Sequence, residues 1–198
     1  MLTRAHAPII YLYPQEETRV NVQLDLKGRL TETVPEYKPG RGWDVTATPE
    51  GVITCRDGTL YPYLFWEADL AIDPDLSSGF CVRGEDTKIF LKDALKKLSL
   101  SDKEAGDFLE YWLPYMEDNP YNIISFQTSS FEDAAELKVE PSPDTVIRVN
   151  MLWYPSDSYV DIPPQDLTKF NPTARDGFTL VEWGGEKYDM GIIHSLFR

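Results

Sequence analysis

The chain has 198 residues, with 19 Lys plus Arg against 33 Asp plus Glu, a formal charge of −14, and 42% hydrophobic residues. This length predicts one globular domain spanning 1–198, with a core large enough to fold without metal or disulfide, and the hydrophobic content excludes a disordered chain. The acidic excess, with no basic run, predicts no nucleic-acid binding and no adsorption to anionic lipid, since both draw on Lys and Arg; solubility or a cationic partner accounts for it instead.

The first third reads as strands. Ile9–Tyr13 is an apolar run closed by Pro14, and Val20, Val22, Leu24 and Leu26 alternate with Asn21, Gln23 and Asp25, the period-2 pattern of a half-buried strand. Lys27-Gly28 predicts a turn, with Arg29–Val34 returning as a hairpin partner. Trp43, Val45 and Ala47 alternate with Asp44 and Thr46. Asp57-Gly58 predicts a type I′ hairpin turn, with Thr59–Trp66 as the next strand.

The middle changes period. Phe90, Leu91, Ala94, Leu95 and Leu98 form a helical stripe behind a cap at Asp86. Ser101-Asp102-Lys103-Glu104 has capping-box spacing, and Ala105, Phe108, Leu109, Trp112 and Met116 recur at helical intervals until Pro114 stops or kinks the helix. Strands resume at Tyr121–Gln127, Leu137–Val139, Thr145–Tyr154 and Phe178–Trp183, the last ended by Gly184-Gly185. A helical turn is predicted at Phe131–Glu136. Residues 155–176 hold four prolines and little periodicity, an extended surface segment within the domain. The expected fold is α+β: an antiparallel β-sandwich or bent sheet with a two-helix block, about 86–116, packed on one side.

Pro8-Ile9-Ile10-Tyr11-Leu12-Tyr13-Pro14, Tyr63-Leu64-Phe65-Trp66-Glu67, Glu110-Tyr111-Trp112-Leu113-Pro114 and Val181-Glu182-Trp183-Gly184-Gly185 resemble the motif set of a microbial family of uncharacterised proteins. The resemblance covers roughly Pro8 to Gly185. It implies one cooperative domain, and with no established activity for that family it carries over no catalytic residue.

Several chemistries lack their residues. The two histidines, His6 and His194, lie near the termini, outside the strong core segments, so no Ser-His or Cys-His site is expected. Gly40-Arg41-Gly42 and Gly184-Gly185-Glu186-Lys187 lack the spacing of phosphate loops and read as turns. Cys55 and Cys81 cannot complete a four-ligand zinc site; they are expected as reduced, buried thiols. No cofactor is implied. Asp73-Pro74-Asp75-Leu76-Ser77 begins like an EF-hand loop but lacks its glycine and glutamate, leaving Asp69, Asp73 and Asp75 as weak candidates for an irregular cation site beside the plainer reading as a polar turn. The N-terminus has no signal-peptide core and no membrane span, so a cytoplasmic location is expected, secreted only if a signal peptide has been removed.

Carboxylates beside aromatics are the remaining feature. Tyr61, Tyr63 and Phe65 are expected on one strand face, Leu64 and Trp66 on the other, with Glu67 next to Trp66 and Glu182 next to Trp183. Such rings either fill a core or present a binding surface. The favoured function is a non-catalytic binding or interaction module using Tyr61, Tyr63, Trp66 and Trp183, with an unknown protein or carbohydrate ligand. The enzymatic alternative is a carbohydrate hydrolase with Glu67 and Glu182 as its carboxylate pair.

Overall fold

The computed structural model describes residues 3–127 and 129–188, with side chains from Pro8 onward. Twelve strands form two sheets among these residues. The larger has the order β3(Gly28–Val34)-β7(Leu64–Leu70)-β1(Thr3–Tyr13)-β12(Thr179–Lys187)-β11(Thr145–Ser156)-β9(Tyr121–Gln127)-β8(Phe80–Arg83). The smaller has the order β10(Ala135–Glu140)-β2(Thr18–Leu26)-β4(Trp43–Ala47)-β5(Ile53–Thr54)-β6(Leu60–Tyr61). Pairing is antiparallel except between β11 and β12. Helices α1 (Thr87–Lys97) and α2 (Asp102–Trp112) supply the two-helix block, and the short α3 (Ser129–Ala134) leads into β10. The α+β sandwich expected from the alternating strands is therefore the fold.

Period-2 alternation explains the layering. In β1, Ile9 and Tyr11 face α1 and α2, while Ile10 and Leu12 face the smaller sheet. The large sheet is thus buried on both faces. On one side Phe108, Trp112 and Leu95 of the helices meet Val149, Met151 and Trp183. On the other, Val20, Val22, Trp43 and Val45 meet Leu64, Trp66 and Leu180.

Three turns differ from expectation. Lys27-Gly28 is not a hairpin turn: β2 pairs with β10 and β4, whereas β3 pairs with β7 in the other sheet. Lys27 sits at this corner, donating its N–H to Ala134 O and accepting at its own carbonyl from Ala71 N–H. The β5–β6 hairpin does turn at Asp57-Gly58, but only Gly58 has positive φ, at 86°. With Gly58 N–H bonded to Cys55 O and Cys55 N–H to Thr59 O, the loop is a type I turn followed by a left-handed glycine; type I′ would need positive φ at Asp57 too. Gly184-Gly185 does not end β12. The strand runs through both glycines to Lys187 because neighbours approach their backbone: a Cβ on Gly184 would lie 3.0 Å from Pro8 Cα, and one on Gly185 would lie 2.6 Å from Met151 O and 3.0 Å from the Trp112 ring.

The helix block follows its capping signals in part. At α2, Ser101 Oγ accepts from Glu104 N–H and Glu104 Oε2 accepts from Ser101 N–H, the reciprocal box read from the spacing. Pro114 falls in a 3₁₀ turn, Leu113–Tyr115, directly after the helix. Asp86 precedes α1 but makes no side-chain cap; a 3₁₀ turn over Gly84–Asp86 leads in instead. The proline-rich segment is fastened by side chains. Gln165 bonds both backbone groups of Phe126, Asn171 donates to Leu98 O and Arg148 O, and Arg175 forks onto Glu104.

Candidate functional site

Glu182, one of the two proposed hydrolytic carboxylates, is 1% exposed and fully engaged. On β11, the parallel neighbour of β12, Arg148 stands in register with it and donates Nε to Glu182 Oε2 at 2.7 Å; Nη2 lies 2.7 Å from the same oxygen. Trp66 Nε1 donates to Oε1 at 3.1 Å. Arg148 also donates to Ala135 O at 2.8 Å and lies over the Phe131 ring. This is a closed ion pair inside the sandwich layer.

Glu67 is on the opposite face. Leu64, Trp66, Ala68 and Leu70 of β7 all point into the sandwich core, so alternation turns Glu67 toward the helices. There its charge raises the phenol of Tyr111 on α2, an effect second to that of the ring's burial. A sheet therefore separates Glu67 from Glu182, and the two cannot flank one glycosidic bond.

The four aromatics also part company. Trp66 is 0% and Trp183 is 3% exposed, in different core layers; neither can belong to a binding surface. Tyr61 and Tyr63 are half-buried but do not share a face. The run Thr59–Trp66 is two strands, because the chain leaves the smaller sheet after Tyr61 and enters the larger one at Leu64. Tyr61 packs on the sandwich core, while Tyr63 and Phe65 pack on the helix side. Tyr63 meets Tyr11 edge-on at 5.8 Å, and Tyr11 stacks on Tyr13 at 6.0 Å. Tyr11 Oη donates to Asp107 Oδ2 at 2.8 Å; burial and that carboxylate push its phenol up. This tyrosine cluster joins β1 to α2.

Asp69 and Asp75, two of the three cation-site candidates, are held by local partners. Asp69 pairs with Arg29 at 3.1 Å, and Asp75 Oδ1 accepts from Ser77 N–H at 2.9 Å. Among the described residues no three His, Cys, Asp or Glu side chains converge as a cation site; Asp69 stands in β7, and of the other two candidates Asp73 is exposed. Cys55, in the β5–β6 loop, and Cys81, in β8 of the larger sheet, are free thiols, half-buried where full burial was expected. His194 lies outside the described residues, and His6 is described only as a backbone position of β1. No helix among the described residues is long and apolar enough to cross a membrane.

A cleft of about 660 Å³ opens on the smaller sheet instead. The segment Pro35–Gly42 lines one part, the hairpin Cys55–Tyr61 another, and Asn21, Gln23 and Asp44 lie between. Their placement follows from alternation: Val20, Val22, Trp43 and Val45 go inward, so the intervening polar residues go outward. These side chains are fixed. Asn21 Nδ2 donates to Arg41 O at 2.8 Å and Trp43 O at 3.0 Å, and Gln23 Nε2 donates to Asn21 Oδ1 at 2.9 Å. Asp44 accepts a two-pronged bond from Arg19, 2.7 Å on each oxygen, and a further one from Arg56. The Arg19 hydrogen bond is the main cause that holds the Asp44 carboxyl far below the usual range. Of the four aromatics proposed as a binding surface, Tyr61 alone lines this cleft, beside the core residue Trp43. Asn21, Gln23 and Asp44 carried a legible signal, the polar half of the alternation, but nothing local distinguished it from a solvated strand face; Arg56, in the hairpin turn, carried none.

No protein-family model matches the chain, and no solved structure matches it. The chain is similar to a protein of Butyrivibrio fibrisolvens described as "Uncharacterized protein in bglA 3'region", 49% identical over 63 residues. The match takes in 31% of this chain and 65% of that relative, so the chain spans just under two thirds of the relative's length. The similarity suggests a family of uncharacterised proteins and assigns no role to any residue.

Proposed function

We propose that the protein is a non-catalytic binding module that takes a carbohydrate or protein ligand in the cleft beside Tyr61. One observation carries this reading: Tyr61, half-buried against the sandwich core, lines the same concavity as amide, carboxylate and guanidinium groups that are already held in place. Fixed polar groups reduce the ordering that binding costs, and an aromatic ring supplies area at little entropy. Trp66 and Trp183 support the module from inside, as core. Among the cleft's groups, none is a histidine, and its one cysteine, Cys55, has its thiol pushed up by burial and then by Asp57, away from the thiolate a nucleophile needs.

The test is a screen of the whole chain on glycan and peptide arrays, followed by titration of whichever member is retained. Tyr61→Leu and Gln23→Ala should each weaken that retention by about ten-fold while leaving the melting temperature within a few degrees. Unchanged retention in both variants, or turnover of the retained compound by wild type, overturns the proposal.

A further inference from the structure

We infer that the ligand of this cleft is an uncharged saccharide; the inference rests on the binding-module reading and narrows it. The first support is charge balance. The chain as a whole carries −14, yet the cleft is lined by three cations, Lys38, Arg41 and Arg56, and three anions, Glu36, Asp44 and Asp57. The two signs are interspersed: Glu36 stands near Lys38 and Arg41 in one segment, and Arg56 beside Asp57 in the other. An anionic ligand selects an excess of Lys and Arg, and a cationic one an excess of carboxylate. This lining offers neither.

The second support is the form of the polar groups. Asp44 has both oxygens engaged by arginines, so it presents a guanidinium–carboxylate plane and not a bare charge. Gln23 spends an N–H on Asn21 and lines the cleft; a side-chain amide carries a further acceptor oxygen and a second N–H donor. Neighbouring hydroxyls on a sugar ring each donate and accept, and planar amide or guanidinium–carboxylate groups meet them two at a time. Tyr61 adds a ring against which the apolar face of a sugar packs. The volume, about 660 Å³, lies within the roughly 300–1,000 Å³ typical of small-ligand clefts.

Cys55 makes the location measurable, because it lines the cleft while Cys81 lies in β8 of the larger sheet. The full chain is titrated with neutral β-glucan, xylan and mannan oligosaccharides, with oligogalacturonate as the acidic probe, chitosan oligomers as the cationic probe, and a proline-rich peptide. Iodoacetamide labelling of the two thiols is followed by mass in each mixture. A neutral oligosaccharide should bind, slow labelling of Cys55 but not of Cys81, and keep its affinity between low and high salt. Tyr61→Leu and Gln23→Ala should each weaken it by about ten-fold.

If the best ligand is the oligogalacturonate, the chitosan or the peptide, and it protects Cys55, the saccharide inference fails while the binding-module reading stands. If no probe protects Cys55, the saccharide inference fails. If a ligand binds without protecting Cys55 and indifferent to both variants, the cleft is not the site and both readings fail together.

Discussion

Arg148 and Glu182 show how far burial governs the role of a charged residue. Each is nearly sealed from water, and each is satisfied by the other and by Trp66 Nε1 and Ala135 O. Removing one member leaves the other as an uncompensated buried charge, so Arg148→Met or Glu182→Leu should each cost about 3–5 kcal/mol. The double variant should recover much of that loss, because neither charge then remains. Urea denaturation of the three variants checks this; an additive double variant would mean that the two residues do not act as a pair. Glu104 makes a second case. Burial raises its carboxyl, but the Arg175 hydrogen bond, the Ser101 N–H and the Arg175 charge outweigh burial and hold it below the ordinary 4.5. A carboxyl depressed in the folded state adds stability above its unfolded value, and that stability drains away as pH falls through the folded value. Below about pH 4.5 the wild type should therefore lose stability more steeply than Glu104→Gln, and the two curves should approach each other. Parallel curves in urea titrations at stepped pH would show that Glu104 is not the group responsible.

Elements obey their local signals where neighbours do not intervene. Helix α2 begins at its capping box and stops before Pro114, and within it a Cβ added at Gly106 would meet nothing within 4 Å apart from its chain neighbours and the helix's own backbone. Gly106→Ala should stabilise the protein by about 0.5–1 kcal/mol through helix propensity and a less flexible unfolded chain. Strand β12 behaves oppositely. Its glycines would ordinarily end a strand, yet here they admit Pro8 on one face and Trp112 on the other. Gly185→Ala pushes a Cβ against Met151 O and that indole, and should destabilise by about 1–3 kcal/mol as overpacking does. Thermal melts of the two alanine variants should move in opposite directions. The same element shows why a motif such as Val181–Gly185 gains its meaning from packing: Val181 and Trp183 enter the helix-side core while Glu182 enters the sandwich.

At the scale of the molecule, the large sheet is common to both cores. The five tryptophans divide between them: Trp43 and Trp66 between the sheets, Trp112, Trp153 and Trp183 under the helices. Indole fluorescence and far-ultraviolet circular dichroism should thus trace one coincident unfolding curve. Two separated transitions would mean that the helix layer and the sandwich unfold independently, against the expectation of one domain. The strap from the end of β11 to β12 belongs to the same body through Gln165, Asn171 and Arg175. It also gives the room needed for a parallel connection between β11 and β12, which no hairpin can supply.

Alternation, capping and proline placement are properties of neighbouring residues and can be read along the chain: the inward set Val20, Val22, Trp43 and Val45, the Ser101–Glu104 box and the break at Pro114 were all legible. What lies across a strand is not local. Whether Lys27-Gly28 turns back or crosses to another sheet depends on β7 and β10, which follow it by tens of residues. Whether Glu67 and Glu182 meet depends on which face of the large sheet each strand presents. Tyr61 and Tyr63 are two residues apart, yet the chain changes sheets between them, and only that crossing set one against the sandwich core at the cleft and the other against the helices. The period-2 pattern fixes which residues share a side within one strand; the pairing partners, set by long-range packing of two cores on one sheet, decide what that side faces.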